Sequence, residues 1–237
     1  MRAFLDEYRY RIELHAHTSP VSACGELSPE EVVDHYHALG ADALVITHHF
    51  HSSFFKRGAK EEMLSLYIDD YLRAKRRAQR YGMQVILGME IRFTENSNDY
   101  LVYGIDEEDL SRACDFLTLG IDAFYRGFKN ERNVILQAHP FRDNMASVNP
   151  SSLDGIEVFN MHIGHNSRVA RAAEYTNEHP EFLVSGGTDF HHGYQTTPCF
   201  MRSKTLPKTS FDIANALKSK DVLFDIAGNI VLPNPRK

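Results

Sequence analysis

Arg11-Ile12-Glu13-Leu14-His15-Ala16-His17-Thr18 is the stretch that orders the reading of this chain. Residues 11–14 read as a strand, and His15 and His17 follow two apart, which turns both imidazoles to one face. Outward from it, short apolar runs keep meeting metal-ligating chemistry. His48, His49 and the nearby His51 close the run 43–47, and Glu90 closes 84–89 just after Gly88. Asp99 stands immediately before the run 100–103 rather than after it. His139, followed by Pro140, ends 134–138; Glu157 and Asn160 lie at 155–159; Asp189, His191 and His192 follow 182–185.

Helix-like stretches separate these runs. Ser28-Pro29-Glu30-Glu31 supplies an N-cap, a proline at the first helical position and acids in the first turn, and Gly40 ends that helix. Further helices are expected over 60–81, 107–119, 167–178 and 210–219. Strands alternating with helices predict βα units around a parallel sheet. About seven such units in 237 residues predict an α/β fold of the closed or nearly closed barrel kind, a single domain over 1–237. Residues 221–237, a short apolar run, a Gly-Asn turn and a Pro-rich tail, are expected to close its edge. In such a barrel the C-terminal strand ends form one mouth, where the His, Asp and Glu of distant segments would converge.

Composition narrows the function classes. Lys+Arg 26 against Asp+Glu 32 gives a net charge of −6, which argues against nucleic acid or an anionic membrane as partner. The 43% hydrophobic content argues against disorder. No stretch approaches the ~20 apolar residues needed to span a bilayer. The N-terminus mixes acids and bases without an apolar run, unlike a signal peptide. Cys24, Cys114 and Cys199 are odd in number with no CxxC, so a reducing, cytoplasmic setting is expected rather than a disulfide framework. Thirteen histidines against no tryptophan point at a site. His35, His37 and His179 fall within a helix or a turn and read as ordinary surface or core residues, while His162 and His165 are open.

Mixed His and carboxylate ligands suit Zn, Mn or Fe rather than a thiolate-bound structural zinc. The candidate ligands exceed what one ion uses, which predicts two or three divalent metal ions with Glu90 bridging. Such clusters clamp the attacking and leaving oxygens of a phosphoester.

The pattern resembles the PHP (polymerase and histidinol phosphatase) family. The likeness is carried by His15-Ala16-His17-Thr18, Gly25-x-x-Ser28-Pro29-Glu30-Glu31, Ile46-Thr47-His48-His49 and Gly88-Met89-Glu90. It continues through Gln137-Ala138-His139-Pro140, Gly155-Ile156-Glu157-Val158-Phe159-Asn160 and Gly187-Thr188-Asp189-Phe190-His191, in family order over about three quarters of the chain. The resemblance implies a distorted seven-stranded (β/α) barrel with a two- or three-metal site and phosphoesterase activity. By position, His15, His17, Glu90 and Asp189 resemble the ligands of a first metal, His49 and His191 those of a second, and Glu90 with His139 those of a third. Asp99 stands about where the family usually has another third-metal His. Cys24 aligns with a position the family usually fills with Asp or His, and His48 stands in place of the Asp of a Thr-Asp-His motif. Both departures bear on the second metal.

Arg142, three residues after His139, is the first candidate for a phosphate partner, with Arg168 and Asn160 next. The acid or base is expected from His191, His48 or His192, with Glu90 at the reacting centre. The expected activity is hydrolysis of a small phosphomonoester, such as histidinol phosphate or a nucleotide, by metal-activated hydroxide. Two alternatives stand beside it. An amidohydrolase-type metal hydrolase would want a bridging Lys after its fourth strand, where 102–106 offers none. A non-catalytic metal-binding PHP module would bind metal without turnover.

Overall fold

The computed structural model describes residues 2–233. A short helix α1 (Arg2–Glu7) leads into β1 (Tyr10–Ala16). Helix α2 (Pro29–Ala38) begins as its sequence requires: Ser28 caps the Glu31 N–H, Glu31 reaches back to the Ser28 N–H, and Gly40 at φ 81° turns the chain away. There follow β2 (Ala43–Ile46), β3 (His49–His51), α3 (Ser52–Phe55), α4 (Lys60–Ala78), β4 (Gln84–Leu87), β5 (Met89–Arg92) and β6 (Asp99–Tyr103). The second half holds α5 (Glu107–Cys114), α6 (Ile121–Phe128), β7 (Val134–Gln137), β8 (Gly155–Asn160), α7 (Val169–Glu178) and β9 (Leu183–Gly187). It closes with β10 (Cys199–Ser203), α8 (Ser210–Ser219), β11 (Leu223–Ile226) and β12 (Asn229–Val231).

The strands form two six-stranded sheets, ordered β12-β11-β10-β1-β2-β4 and β3-β5-β6-β7-β8-β9. Both are mixed, which corrects the expectation of a purely parallel sheet. The pairs β1–β2, β2–β4, β3–β5, β7–β8 and β8–β9 are parallel. The pairs β5–β6, β6–β7, β1–β10, β10–β11 and β11–β12 are antiparallel. The connection 93–98 is too short for a crossover helix, so β6 must run back along β5.

A change of sheet follows one of the expected strands and splits another. The run 43–47 ends in the first sheet, and beyond Thr47 and His48 the chain enters the second as β3. The run 84–89 does the same at Gly88, between β4 and β5. A Cβ on Gly88 would sit 2.8 Å from Val45 Cγ1 and 2.9 Å from Thr47 Cγ2, so only glycine lets the two crossings lie this close. The buried Tyr67 of α4 places its hydroxyl 3.1 Å from the carbonyl oxygens of both His48 and Gly88, tying the crossings together. A third tie is the bridge Ala16↔Phe190, where His17 N–H donates to Phe190 O and Phe190 N–H to His15 O.

Other boundaries differ for local reasons. The expected helix 107–119 stops at Cys114, and α6 starts beyond Gly120, whose φ of 82° no helix accommodates. β10 comes with no helix between it and β9, so nothing in the alternating pattern announces it. The expected C-terminal closing segment is the hairpin β11–β12 on the edge of the first sheet, turning at Ala227-Gly228. Residues 234–237 of its Pro-rich tail lie outside the described residues. No described helix is long and apolar enough to cross a membrane.

Candidate metal centre

The candidate ligand side chains meet at the seam between the sheets. From the first sheet, β1 supplies His15 and His17. From the second come His49 at the start of β3, Glu90 of β5 and Asp99 of β6, with His139 and Asp189 in the turns after β7 and β9. The odd placement of Asp99 is resolved by the antiparallel pairing: it lies opposite Arg92, so the start of β6 sits beside the end of β5.

Glu90 is the hub. Its Oε1 lies 3.2 Å from His15 Nε2 and 3.3 Å from His139 Nε2; its Oε2 lies 2.7 Å from His49 Nδ1 and 3.4 Å from His17 Nε2. Asp189 Oδ1 is 3.5 Å from both His15 Nε2 and His17 Nε2, and Asp99 Oδ2 is 3.7 Å from His139 Nε2. Three overlapping sets emerge, each with its ligand atoms within 4.8 Å of one another: His15–His17–Asp189, His17–His49–His191 and His49–Glu90–Asp99. His15 Nε2, His17 Nε2, His49 Nδ1 and Glu90 Oε2 are buried without a properly directed hydrogen bond. Buried polar atoms are rarely left so, and here the orphaned lone pairs converge. The donor set therefore fits divalent metal ions.

The electrostatics agree. Burial alone would raise the carboxyl of Glu90, but His15 and His49 hold it well below the usual carboxylate range. Asp189 is likewise held low, against its burial, by His15, His17, His191 and Arg142. Burial works to lower His15, yet Glu157, Asp189 and Glu90 hold it well above an ordinary histidine, whereas burial beside His191 and His49 pushes His17 far down. The surroundings thus favour the ionised form of Glu90 and Asp189 that a metal ion requires.

Outer contacts fix these rings. Glu157 Oε1 sits 2.8 Å from His15 Nδ1, and its Oε2 accepts the His139 N–H. Ser22 Oγ lies 3.1 Å from His17 Nδ1 and accepts the His49 N–H. Arg142 Nη2 donates to Asp189 Oδ2 at 2.6 Å and to Asn160 Oδ1 at 2.9 Å. His139 (φ 32°) and Asp189 (φ 53°) occupy the left-handed region, a strained backbone characteristic of functional turns.

The PHP domain model matches residues 13–186, nearly three quarters of the sequence. The chain belongs to the PHP domain family. No curated protein matches it. Among solved structures it resembles a two-domain protein containing a predicted PHP-like metal-dependent phosphoesterase from Bacteroides vulgatus, at TM-score 0.59 and 18% identity over 91% of this chain. This chain spans 64% of that protein's length. PsfC from Pseudomonas syringae aligns at TM-score 0.65 and 14% identity, over 88% of this chain and 89% of its own. An amidohydrolase from Chromobacterium violaceum, crystallised with sulfate and no metal, aligns at TM-score 0.50 and 16% identity over 76% of this chain and 87% of its own. At these identities the likeness is one of fold.

Within this PHP domain, the predicted residues separate. Cys24 lines the same cavity of about 330 Å³ as His49, Asp99, His139, Asp189 and His191. Although burial would raise its thiol, hydrogen bonds from His191 and His49 bring it down to about 6. His191 Nδ1 meets the Asp189 carbonyl, which leaves its other nitrogen for the cluster. His48 does not join the cluster: its Nε2 pairs at 2.8 Å with Asp70 of α4, whose carboxylate also accepts the Thr18 hydroxyl. Adjacent residues entering a strand point oppositely, so His49 faces the ligands and His48 the helix layer. Asp70 thereby supplies a carboxylate beside the position where the motif usually carries its own.

Asn160 spends its amide inside the protein, donating to Glu157 and Asp189 and accepting from Arg142 and Ser167, so it orients neighbours rather than facing the cavity. Arg168 lies outside this cavity, donating to the Phe141 carbonyl and pairing with Asp143. It lines a neighbouring cleft of about 630 Å³, and Arg142 lines both spaces. His162, His165 and His192 ring the metal cavity's mouth, while His35, His37 and His179 lie elsewhere, against the Gln195 carbonyl, Tyr81 and Glu181. Sequence reasoning missed Ser22, Asp70 and the fork by which Arg92 holds both oxygens of Asp99, at 2.7 and 2.5 Å. Ser22 lies in a loop and Asp70 within a helix, away from the ends of apolar runs, and Arg92 closes β5 two residues beyond Glu90.

Proposed function

We propose that this PHP domain is a metal-dependent phosphoesterase acting on a small phosphomonoester, built as one domain whose two sheets are the halves of a distorted barrel. The observation that carries this reading is the convergence of orphaned His and Glu atoms on one buried point, with a guanidinium at its rim. Two or three Zn, Mn or Fe ions held there would supply an activated water and neutralise charge on the phosphoryl group. His15, His17 and Asp189 would hold one ion, His49 and His191 with Cys24 a second, and Glu90, His139 and Asp99 a third. Arg142 presents its partly buried guanidinium between the candidate ligands and the larger cleft, where it can take a phosphoryl oxygen while the leaving group extends away from the ions. His191, at the open side, is placed to exchange a proton with the leaving oxygen. Among the described residues no lysine lines this cavity, which favours this reading over an amidohydrolase site.

The test is phosphate release from a panel of phosphomonoesters with Mn²⁺, Zn²⁺ or Fe²⁺ at pH 6–9. Turnover should appear with at least one ion. In Arg142→Ala, kcat/KM should fall about 10–100-fold while bound metal is retained, the cost of losing a charged hydrogen bond. Loaded protein with no turnover across the panel would leave a metal-binding module instead.

A further inference from the structure

Glu13 is fully buried, yet it makes no ion pair with a cation among the described residues. Its Oε1 accepts two backbone N–H groups, those of His15 and Thr188, both at 2.9 Å, and its Oε2 accepts the Thr188 hydroxyl. His15 belongs to β1 of the first sheet, whereas Thr188 continues from β9 of the second and leads directly into Asp189. One carboxylate therefore spans the seam, gripping the backbone of one ligand and that of the residue before another. The fit has no slack: a Cβ on Gly187 would fall 2.4 Å from His15 Cβ and 3.0 Å from Glu13 Oε1. Thr188 Oγ1 also accepts the Cys199 N–H at 3.1 Å, extending the clamp to β10.

An apolar residue would be the cheaper occupant of such a place, since burying a carboxylate without a cation is costly. The other outer contacts hold ligand side chains: Glu157 the His15 ring, Arg142 the Asp189 carboxylate. Glu13 holds main chain, on both sides of the seam, and next to a ligand whose φ of 53° is unfavourable on its own. We propose that Glu13 is a positioning residue of the metal centre, its carboxylate setting the distance and orientation of His15 relative to Asp189 across the two sheets. The proposal rests on the reading of the cluster as a metal centre.

Cobalt titration tests it, read by the visible absorption bands of bound Co²⁺ and by affinity against a competing chelator. Fold is followed separately by far-UV circular dichroism and Tm. Glu13→Asp is one methylene too short to span the seam. It should bind Co²⁺ about 10–100-fold more weakly than wild type, with altered band intensities, as loss of an outer partner does. Glu13→Gln keeps one oxygen for the two N–H groups and should lose only roughly 2–10-fold. Thr188→Val should cost about the same, and the double variant no more than the worse single, because both break one contact. A purely structural role would lower Tm while leaving the spectrum and affinity of the folded protein unchanged, and that result in Glu13→Asp overturns the proposal. If Glu13→Asp does not fold, the near-isosteric pair decides, and additive losses or none overturn it. Wild-type protein that takes up no cobalt overturns the metal-centre reading itself, and this proposal with it.

Discussion

Two buried assemblies of histidine and carboxylate lie back to back in this protein, and they begin from adjacent residues. His49 enters the seam and joins His15, His17, Glu90 and Asp189; His48 turns the other way and pairs with Asp70 and, through it, Thr18. Both are almost fully buried, and both would look like ligand sets to a search for His near acid. They differ in how their atoms are committed. In the outer corner one imidazole faces one carboxylate at hydrogen-bonding distance. At the seam one carboxylate faces four imidazoles, and of these contacts only that of His139 has hydrogen-bond geometry. The corner also leaves one buried atom of each partner over, His48 Nδ1 and Asp70 Oδ1, but at the seam three imidazole nitrogens, of His15, His17 and His49, are left over around Glu90, whose own Oε2 is unsatisfied too.

The sharpest way to break this comparison is to remove one carboxylate from each side. Asp189→Ala should lower the metal count by at least the one ion that Asp189 would hold, and abolish phosphoester turnover, while leaving the far-UV spectrum that of wild type, because it removes a ligand of a site the fold does not need filled. A metal count undiminished in this variant would show that Asp189 holds no ion at the seam. Asp70→Ala should do the opposite: metal equivalents unchanged, but a stability loss of about 1–3 kcal/mol, a Tm lower by roughly 2–10 °C, as His48 and Thr18 lose their buried partner. If Asp70→Ala instead stripped the metal at unchanged Tm, the two assemblies would have to be treated as one.

A smaller effect sharpens the boundary of the site. Cys24 lies at the cavity with its thiol lowered to about 6, whereas burial raises Cys114 to about 11 and leaves Cys199 far above the ordinary range. Only Cys24 is thus largely thiolate at pH 7, since a lowered thiol pKa puts the reactive form above pH 6. Iodoacetamide at pH 7 should label Cys24 first in metal-free protein, as read by peptide mass spectrometry, and loading with Zn²⁺ should slow that labelling. Labelling at an equal rate with and without metal would place Cys24 outside the second metal's reach.

The candidate ligands are legible because they sit where apolar runs end, and strand ends are where a chain can present polar groups to a shared mouth. His15, His17, His49, Glu90, His139 and Asp189 were all read that way, and they converge. Asp99 fitted the pattern only backwards, at the start of its run; the antiparallel course of β6 explains why, but strand direction is not written in local sequence. His48 was misread as a reacting group because its partner Asp70 lies on a helix 22 residues on, on a face that only tertiary packing defines. The sheet changes at Thr47–His48 and at Gly88 were hidden for the same reason: a run of apolar residues does not announce that its two ends pair with different neighbours. Glu13 was in plain view in the stretch from which the reading began, a charge inside a strand, and its role emerged only when Thr188 was brought beside it.

Metal content is the measurement closest to the central claim, that the seam between the two sheets holds divalent ions. Wild-type protein purified without chelator and counted by elemental analysis should carry about two or three equivalents of Zn, Mn or Fe per chain, as a clustered ligand set of this size requires. Wild-type protein that retains no more metal than Asp189→Ala, even after dialysis against each ion, would contradict it.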